Sequence, residues 1–428
     1  MVDCTIMDAA IISIGAELTT GQQVDSNAAW IASRLNQIGV RPRLHITVDD
    51  DLTDIRNAIT RALADTDLVI LTGGLGPTPD DLTRQGLADA IGRPLQEDVK
   101  ALKEIQTRFD RWEKTMTASN ATQAMIPRGC DMISNPSGTA PGICCEISGK
   151  QLFALPGVPS EMMGMFDASV ASVLTGGQGG TRVSQGMLRC FGVSEAKIGD
   201  LLADKMVPGR NPTVGITASR GVITVRAVAR GISEAEAKNR LVEDLAVIRD
   251  RLGRAVYGTD DETLESVVAR LLVAGGKTIA TVESCTGGLL AKRLTDVPGS
   301  SAYFLQGYIT YANEAKCRLV GVAPELIEAH GAVSQEVARA MASGCRTASG
   351  ASLAVSVTGI AGPTGGNPPE KPVGLVHMGL ADETGVAVKR VRLGAHHDRE
   401  LIRDLACSAA LNWLRHALTG RERESKSG

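Results

Sequence analysis

Ser284 and Lys316 carry the sharpest chemical suggestion in this chain. The serine lies in TVESCTGGLL (281–290) and the lysine in GYITYANEAK (307–316). A serine hydroxyl becomes a nucleophile only when a neighbouring group takes its proton. No histidine falls between the two residues. A lysine can serve if burial and nearby charge depress its pKa and leave the amine neutral. The pair therefore suggests acyl transfer with a Ser–Lys dyad. Cys285 is a rival, because a thiol is intrinsically the better nucleophile, but it has no histidine nearby in sequence. On the bland alternative, Ser284 caps the following helix and Lys316 is a surface cation.

A second set of residues lies in the N-terminal half. The run TGGLGPTPDDLTRQGLADA (72–90) offers Gly73, Gly74 and Gly76, where backbone can approach a ligand closely, and a hydroxyl on Thr78. Asp80 and Asp81 precede a helical pattern and can cap it or hold a divalent cation. GAELTTGQQVDSNAAW (15–30) adds Glu17, Asp25 and Asn27. NPSGTAPG (135–142) and LPGVPSEM (155–162) add rigid loops and Glu161. Carboxylates beside phosphate-binding loops suggest metal-assisted attack of water on a phosphoanhydride. The plain alternative is that the aspartates cap helices and the glycines turn the chain.

The elements that must position these groups alternate between strand and helix. Ala10–Ile14, Leu68–Leu71 and Leu152–Leu155 read as buried strands, each ending at glycine or Pro-Gly. Ser26 is placed to cap a helix carrying Ile31, Leu35 and Ile38. Such alternation favours a mostly parallel sheet covered by helices, with ligands at the carboxyl ends of the strands. Thr278–Val282 reads as a strand and Leu289–Leu294 as a helix, so Ser284 falls at a strand-to-helix turn. Unpaired N–H groups near Gly287 and Gly288 would then face an oxyanion. Three segments result, an α/β segment over 8–172, a small α+β segment over 181–255 and an α/β segment over 262–419. TGGQGGT (175–181) reads as a linker and RERESKSG (421–428) as a disordered tail. Thr263 is placed to cap the first helix of the last segment, and 233–253 reads as a helix.

Composition excludes several classes. The net charge is −3 and aromatics are 3% of 428 residues, so neither a basic field nor stacking platforms invite nucleic acid. No apolar run approaches the roughly 18 residues that span a bilayer, and the N-terminus lacks the pattern of a secretion signal. A cytoplasmic protein without membrane contact is expected. Nine cysteines, with no C-x-x-C pair, argue against a disulfide framework or zinc ribbon. Cys144 and Cys145 read as core thiols. His396-His397 is a weak metal candidate, because adjacent side chains diverge in regular structure, and His330 reads as a turn residue.

The runs GAELTTGQQVDSNAAWIA, TGGLGPTPDDLT, NPSGTAPG and LPGVPSEM closely resemble the N-terminal domain of the competence/damage-inducible CinA proteins, related to the molybdopterin-binding fold. The middle segment resembles their small KH-like domain. TVESCTGG, GYITYANEAK, HGAVS and VTGIAGPTGG resemble their nicotinamide mononucleotide deamidase domain. The resemblance covers nearly the whole chain, with its motifs in order. It implies an N-terminal ADP-ribose pyrophosphatase that makes AMP and ribose 5-phosphate with a divalent metal, Mg²⁺ foremost. Related pyrophosphates such as NAD derivatives could also enter that site. It implies a C-terminal amidase without a metal. Ser284 matches the nucleophile, Lys316 the base, Tyr311 a residue orienting proton transfer or amide, and Arg399 an arginine near the substrate. Cys285, Thr286, Gly287 and Gly288 match the loop around the amide. Thr358, Gly359, Gly362, Gly365 and Gly366 match a loop that would hold the mononucleotide.

In the N-terminal segment the resemblance assigns nucleotide contacts to Asn27, Thr72, Gly73, Gly74, Gly76, Thr78, Asp80, Gly138, Pro156 and Gly157. It assigns metal contacts to Glu17, Asp25, Asp81 and Glu161. Thr19 stands where relatives commonly have leucine, and Ala312 where they have serine, which removes any hydroxyl role at 312. The middle segment has no G-x-x-G loop flanked by cations, so joining and dimerising the enzyme domains is its expected task and a homodimer the expected assembly. Two alternatives stay open, a regulatory protein of competence or DNA damage without catalysis, and a chain in which one of the two domains is active.

Overall fold

A computed structural model of the protein describes residues 7–175, 182–365 and 370–420. Gly366, the linker residues 176–181 and the tail 421–428 lie outside the described residues. The chain divides into two units, residues up to 185 with 228–241, and 186–227 with the chain from 242 onward.

The N-terminal segment contains strands β1 (Asp8–Ile14), β2 (Arg41–Val48), β3 (Leu68–Thr72), β4 (Leu95–Glu97), β5 (Met125–Pro127), β6 (Asp131–Ile133), β7 (Gly142–Ile147) and β8 (Lys150–Leu155). Six of them form one sheet in the order β2-β1-β3-β8-β7-β6. The first four are parallel; β7 and β6 add an antiparallel edge. Every residue of β1 and β3 is buried, as expected for parallel strands covered on both faces. Alternation decides which face each side chain serves. Ala10 and Ile12 pack with Ile55, Ile59 and Leu87. Ala9 and Ile11 pack with Ile31, Leu35 and Met162. The same alternation puts Cys145 in one core and leaves Cys144 half-buried against the other. The helix Ser26–Gln37 starts one residue differently from the reading above. Asp25 is its cap and accepts from the Ala28 N–H at 2.9 Å, because the Ser26 N–H closes a turn onto the Val24 carbonyl.

The middle segment supplies β9 (Arg182–Phe191), β10 (Thr213–Ser219), β11 (Val222–Gly231) and β12 (Val256–Thr259), a sheet in the order β10-β11-β9-β12. Helices Glu195–Leu201 and Glu234–Leu252 accompany it. Within the second unit, Arg220 pairs with Glu400 at 2.7 Å and with Asp404. Arg415 donates to the carbonyls of Arg254 and Val256 at 2.8 and 3.2 Å. The last helix is thereby fastened to the strands of the middle segment.

The C-terminal segment builds a five-stranded sheet from β13 (Ile279–Glu283), β14 (Phe304–Ile309), β15 (Leu353–Gly359), β16 (Leu375–Asp382) and β17 (Gly385–Arg392), in the order β14-β13-β15-β16-β17. β13 lies parallel between β14 and β15; β16 and β17 are antiparallel additions. Helices Asn313–Val320, Pro324–His330 and Gln335–Ser349 cover one face, meeting Ala280 and Val282. Helices Leu264–Ala274, Leu289–Thr295 and Arg399–Leu418 cover the other, meeting Ile279 and Val357. Thr263 caps the first of these, accepting from the Ser266 N–H at 3.2 Å.

The helix that bears Lys316 is held by close packing. A Cβ on Gly344 would stand 1.7 Å from the Val320 carbonyl oxygen at the end of that helix. Gly344→Ala must therefore separate two packed helices, at a cost of roughly 1–3 kcal/mol. The calorimetric melting midpoint should fall by several degrees. Gly199→Ala, where a Cβ meets nothing within 4 Å, should leave it unchanged or raise it.

Two candidate active sites

Lys316 is only 1% exposed, although it sits in the first turns of a helix. Its Nζ lies 3.3 Å from Ser284 Oγ, 2.8 Å from the Thr310 carbonyl and 3.3 Å from the Tyr311 carbonyl. Both carbonyls belong to the turn that leaves β14. Burial holds the amine below the usual lysine range, against weaker opposition from Cys285, Cys317 and Glu314. No carboxylate forms an ion pair with it among the described residues. A neutral amine has two N–H bonds and one lone pair. With the two carbonyls taking the N–H bonds, the lone pair is left for the Ser284 hydroxyl. That is the arrangement a general base requires.

Ser284 follows the last residue of β13, and its N–H donates to the Val357 carbonyl at 2.9 Å. Strand alternation directs its side chain to the face that holds Lys316. The N–H groups expected to hold an oxyanion are already used. That of Gly287 donates to the Ser284 carbonyl at 3.1 Å, closing the turn. That of Gly288 donates to Glu283 Oε2 at 3.0 Å. The N–H groups of Cys285 and Thr286 make no backbone hydrogen bond in this turn; they face the Cys285 sulfur, a weak acceptor. The Thr286 carbonyl is gripped by Arg403 Nη2 at 2.7 Å. Burial pushes the Cys285 thiol up to about 12, so it is protonated at neutral pH and poorly suited to attack.

Tyr311 contributes its backbone carbonyl to Lys316, while its side chain is 61% exposed. Its phenol accepts from Arg399 Nη2 at 2.8 Å, and Arg399 Nη1 donates to the Gly362 carbonyl at 2.7 Å. Arg399 thus bridges the turn after β14 and the loop after β15. Tyr311 thus meets Lys316 through its backbone carbonyl and Arg399 through its phenol. Thr358 is buried and donates to the Ala332 carbonyl at 2.8 Å. A Cβ on Gly359 would lie 2.7 Å from the Leu375 carbonyl, so its smallness serves strand packing. Gly362 and Gly365 lie in the loop beyond. The rings of His396 and His397 lie tilted to each other with centroids 4.0 Å apart, in an irregular stretch. The His330 carbonyl receives Lys371 Nζ at 2.8 Å. The sequence reading left out Glu283, Arg403 and the Thr310 carbonyl. A carboxylate ending an apolar strand, and an arginine one turn after Arg399, were signals it could have used.

In the first unit a cleft of about 240 Å³ opens at the carboxyl ends of β1 and β3. Glu17, Asp25, Asn27, Thr72, Gly73, Gly74, Asp80, Asp81 and Gly157 line it, together with Asp50, which the sequence did not suggest. Gly73 takes φ 104°, and a Cβ there would meet the Ile14 carbonyl at 2.2 Å, so only glycine lets the two strand ends approach. Asn27 Nδ2 reaches Thr72 Oγ1 and the Gly157 carbonyl at 3.0 and 2.8 Å, while Thr72 Oγ1 donates to the Pro156 carbonyl. Asn27 Oδ1 is buried without a partner.

Asp81 does not cap the helix Thr83–Ile91. It accepts from the N–H of Gly76 at 2.7 Å, the N–H of Thr78 at 2.8 Å and Thr78 Oγ1 at 2.5 Å. Gly76 and Thr78 are thereby spent inside their loop and do not line the cleft. Beneath it the buried Arg84 donates to the carbonyls of Leu75 and Gly76, both at 2.7 Å. Glu161 lies elsewhere. It accepts from Asn135 Nδ2 at 2.7 Å and fills the space a side chain at Gly138 would need. Neither Glu161 nor Gly138 lines the cleft, because both are committed to the 135–142 loop.

Burial raises Asp50 above the usual carboxylate range, and the charges of Glu17, Asp80 and Asp49 add to the rise. The cleft thus concentrates negative charge and hard oxygen donors, the set that suits a divalent cation. Among the described residues, no three acidic, histidine or cysteine side chains already converge on one ion position. Mg²⁺ fits such a site, since it takes one or two carboxylates and completes its shell with water and substrate phosphate.

Comparison with known proteins agrees with these architectures. The profile described as "Probable molybdopterin binding domain" matches residues 10–176. The damage-inducible protein CinA KH domain matches 185–258, and the CinA C-terminal domain matches 261–418. A competence-damage inducible protein of Symbiobacterium thermophilum is 43% identical over 97% of this chain and 99% of its own. A CinA-like protein of Citrifermentans bemidjiense is 44% identical over 97% and 99%. A crystal structure of CinA from Thermoplasma acidophilum is 39% identical, covering 39% of this chain and 98% of that one, with a TM-score of 0.37. The chain belongs to the CinA family, with a molybdopterin-binding-like domain, a KH-like domain and a CinA C-terminal domain. Among its described residues, no helix is long and apolar enough to cross a membrane.

Proposed function

We propose that this protein is a bifunctional hydrolase of pyridine nucleotides. The C-terminal site deamidates nicotinamide mononucleotide to nicotinate mononucleotide and ammonia. The N-terminal site splits ADP-ribose with one water into AMP and ribose 5-phosphate, and related pyrophosphates into AMP and their other phosphate ester. The observation that carries the first activity is the buried amine of Lys316, its Nζ 3.3 Å from Ser284 Oγ and within hydrogen-bond reach of the Thr310 and Tyr311 carbonyls. The amine takes the hydroxyl proton as Ser284 attacks the carboxamide carbon. The oxyanion is held by the N–H groups of Cys285 and Thr286, each worth about 3–4 kcal/mol in good geometry. Lysinium protonates the departing ammonia. Neutral again, it activates the water that releases the carboxylate and restores the hydroxyl. Beside the turn that holds Lys316, a cationic pyridinium can meet the Tyr311 ring and a phosphate the Arg399 guanidinium.

In the N-terminal cleft, one or two of the carboxylates of Glu17, Asp50, Asp80 and Asp25 would hold a divalent cation, with water and substrate phosphate completing its shell. Such a cation supplies charge neutralisation for the phosphoanhydride. The chain itself supplies the glycine-lined floor at Gly73 and Gly74. It also supplies Asn27, whose amide is fixed by Thr72 and Gly157. Small nucleotides are the partners this reading requires; nucleic acid is not among them.

The direct test incubates the full protein with nicotinamide mononucleotide and measures ammonia, then with ADP-ribose and Mg²⁺ and measures AMP. Absence of ammonia would remove the amidase, and absence of AMP the pyrophosphatase, each independently. The pH dependence gives a second check. Lys316 must be neutral to act, and burial lowers its pKa. Deamidation should therefore fall as pH drops through that folded value and level off at a pH below the ordinary lysine pKa of about 10.4. A profile still climbing steeply at pH 10 would argue against a desolvated base.

A further inference from the structure

Glu283 immediately precedes Ser284, and its side chain points to the opposite face of the sheet. It is 1% exposed. Its Oε2 accepts from the N–H groups of Gly288 and Leu290, both at 3.0 Å. Its Oε1 accepts from the Ala291 N–H at 2.8 Å and from Thr281 Oγ1 at 3.4 Å. Both oxygens are thus saturated by donors, an arrangement suited to an ionised carboxylate, which is an acceptor only. Three of the donors are N–H groups at the start of the helix Leu289–Thr295, where they have no intrahelical partner.

This carboxylate ties the end of β13 to the start of the next helix, across the turn that carries the nucleophile. On the strand side, the turn is fixed by the Ser284 N–H on Val357 and by the Gly287 N–H on the Ser284 carbonyl. On the helix side, Glu283 fixes it. Because Glu283 consumes the Gly288 N–H, the donors left in the turn are those of Cys285 and Thr286, which face the Cys285 sulfur, a weak acceptor that an oxyanion can displace.

We infer that Glu283 is a positioning residue for the Ser284 hydrolase: it acts through the turn, without touching substrate, to present the Ser284 hydroxyl and the Cys285 and Thr286 N–H groups together. This rests on the amidase reading given above. Glutamine has the same shape, but its NH₂ group would face N–H donors at one oxygen position, so the turn must shift there. The ring and phosphate of the substrate meet other residues, so binding is spared while the transition state is not.

In the full protein, Glu283→Gln should lower kcat for nicotinamide mononucleotide by about 10²-fold, in the range of losing one oxyanion donor. KM should stay within about two-fold, since ground-state contacts are unchanged. A role in folding alone would reduce the active fraction without this split and would leave kcat per folded molecule intact; that result overturns the inference. A second measurement uses the unmutated protein and pyridine-3-boronic acid, which forms a tetrahedral anion on a reactive serine. In amide-resolved NMR, the Cys285 and Thr286 N–H groups should shift and gain exchange protection in the adduct, while those of Gly288, Leu290 and Ala291 remain as before. New protection at Gly288 in place of Cys285 and Thr286 would overturn the inference even if the variant fails to fold. An adduct at Ser284 with unchanged Glu283→Gln kinetics removes the role of Glu283 alone. No adduct, and no ammonia from the unmutated protein, removes the amidase reading and this inference with it.

Discussion

Ser284→Ala should abolish ammonia release from nicotinamide mononucleotide, lowering kcat by about 10⁴-fold or more, and leave ADP-ribose cleavage at its unmutated rate. The size follows from loss of a covalent nucleophile, whose catalytic partners act as a unit. Without the hydroxyl, Lys316 has nothing to deprotonate at 3.3 Å except a stray water. The separation of effects follows from the cleft of the first unit being lined without any residue of the dyad. Cys285→Ala serves as the internal contrast. The thiol is buried and pushed up to about 12, so its removal should cost far less than removal of the neighbouring hydroxyl. If Cys285→Ala were the variant that lost activity and Ser284→Ala kept it, the assignment of the nucleophile would be wrong by one residue.

The second large effect is expected at Asp81. Asp81→Ala removes the acceptor for the N–H groups of Gly76 and Thr78 and for the Thr78 hydroxyl. The loop between β3 and the helix Thr83–Ile91 then loses its internal frame, and buried Arg84 loses the nearby charge that favours its ionised form. Misplacing catalytic groups by about 1 Å can cost about 10²-fold in rate, and a loss of at least that size is expected in AMP formation. Ammonia release should be untouched. EDTA should suppress AMP formation likewise and spare deamidation. Asp81→Asn retains an oxygen acceptor and should retain part of the activity. Full activity in Asp81→Ala, with melting unchanged, would show that the loop frame is not needed for catalysis.

The sheet architecture was legible because burial on both faces leaves uninterrupted apolar runs. IISI, LVIL and LFAL mark three parallel strands without help from anything else. The Ser–Lys dyad was legible because two short, distinctive runs flank it. What sequence could not convey was which hydrogen bonds each group had already made. Glycines 287 and 288 looked like free donors, yet one closes a turn and the other meets Glu283. Asp81 and Glu161 looked like metal ligands, yet the first is engaged by its own loop and the second by Asn135. Asp50 was invisible because it follows β2, more than thirty positions from the Glu17 run, and only parallel pairing of β1 with β2 brings it to the Ala16 N–H at 2.9 Å. Short polar side chains within three residues of a turn compete for local N–H groups, and no spacing rule says which of them wins.

Among the described residues the Lys316 amine has no carboxylate in an ion pair with it, and the proposed reaction manufactures one. Nicotinate carries a fresh anion where the amide stood, a few ångströms from a base that has just been neutral. That anion raises the proton affinity of the amine, so product and lysinium stabilise each other in one pocket. Nicotinate mononucleotide should therefore cling more tightly in mild acid than in mild alkali. Its inhibition constant, followed across pH, should fall as the medium is acidified.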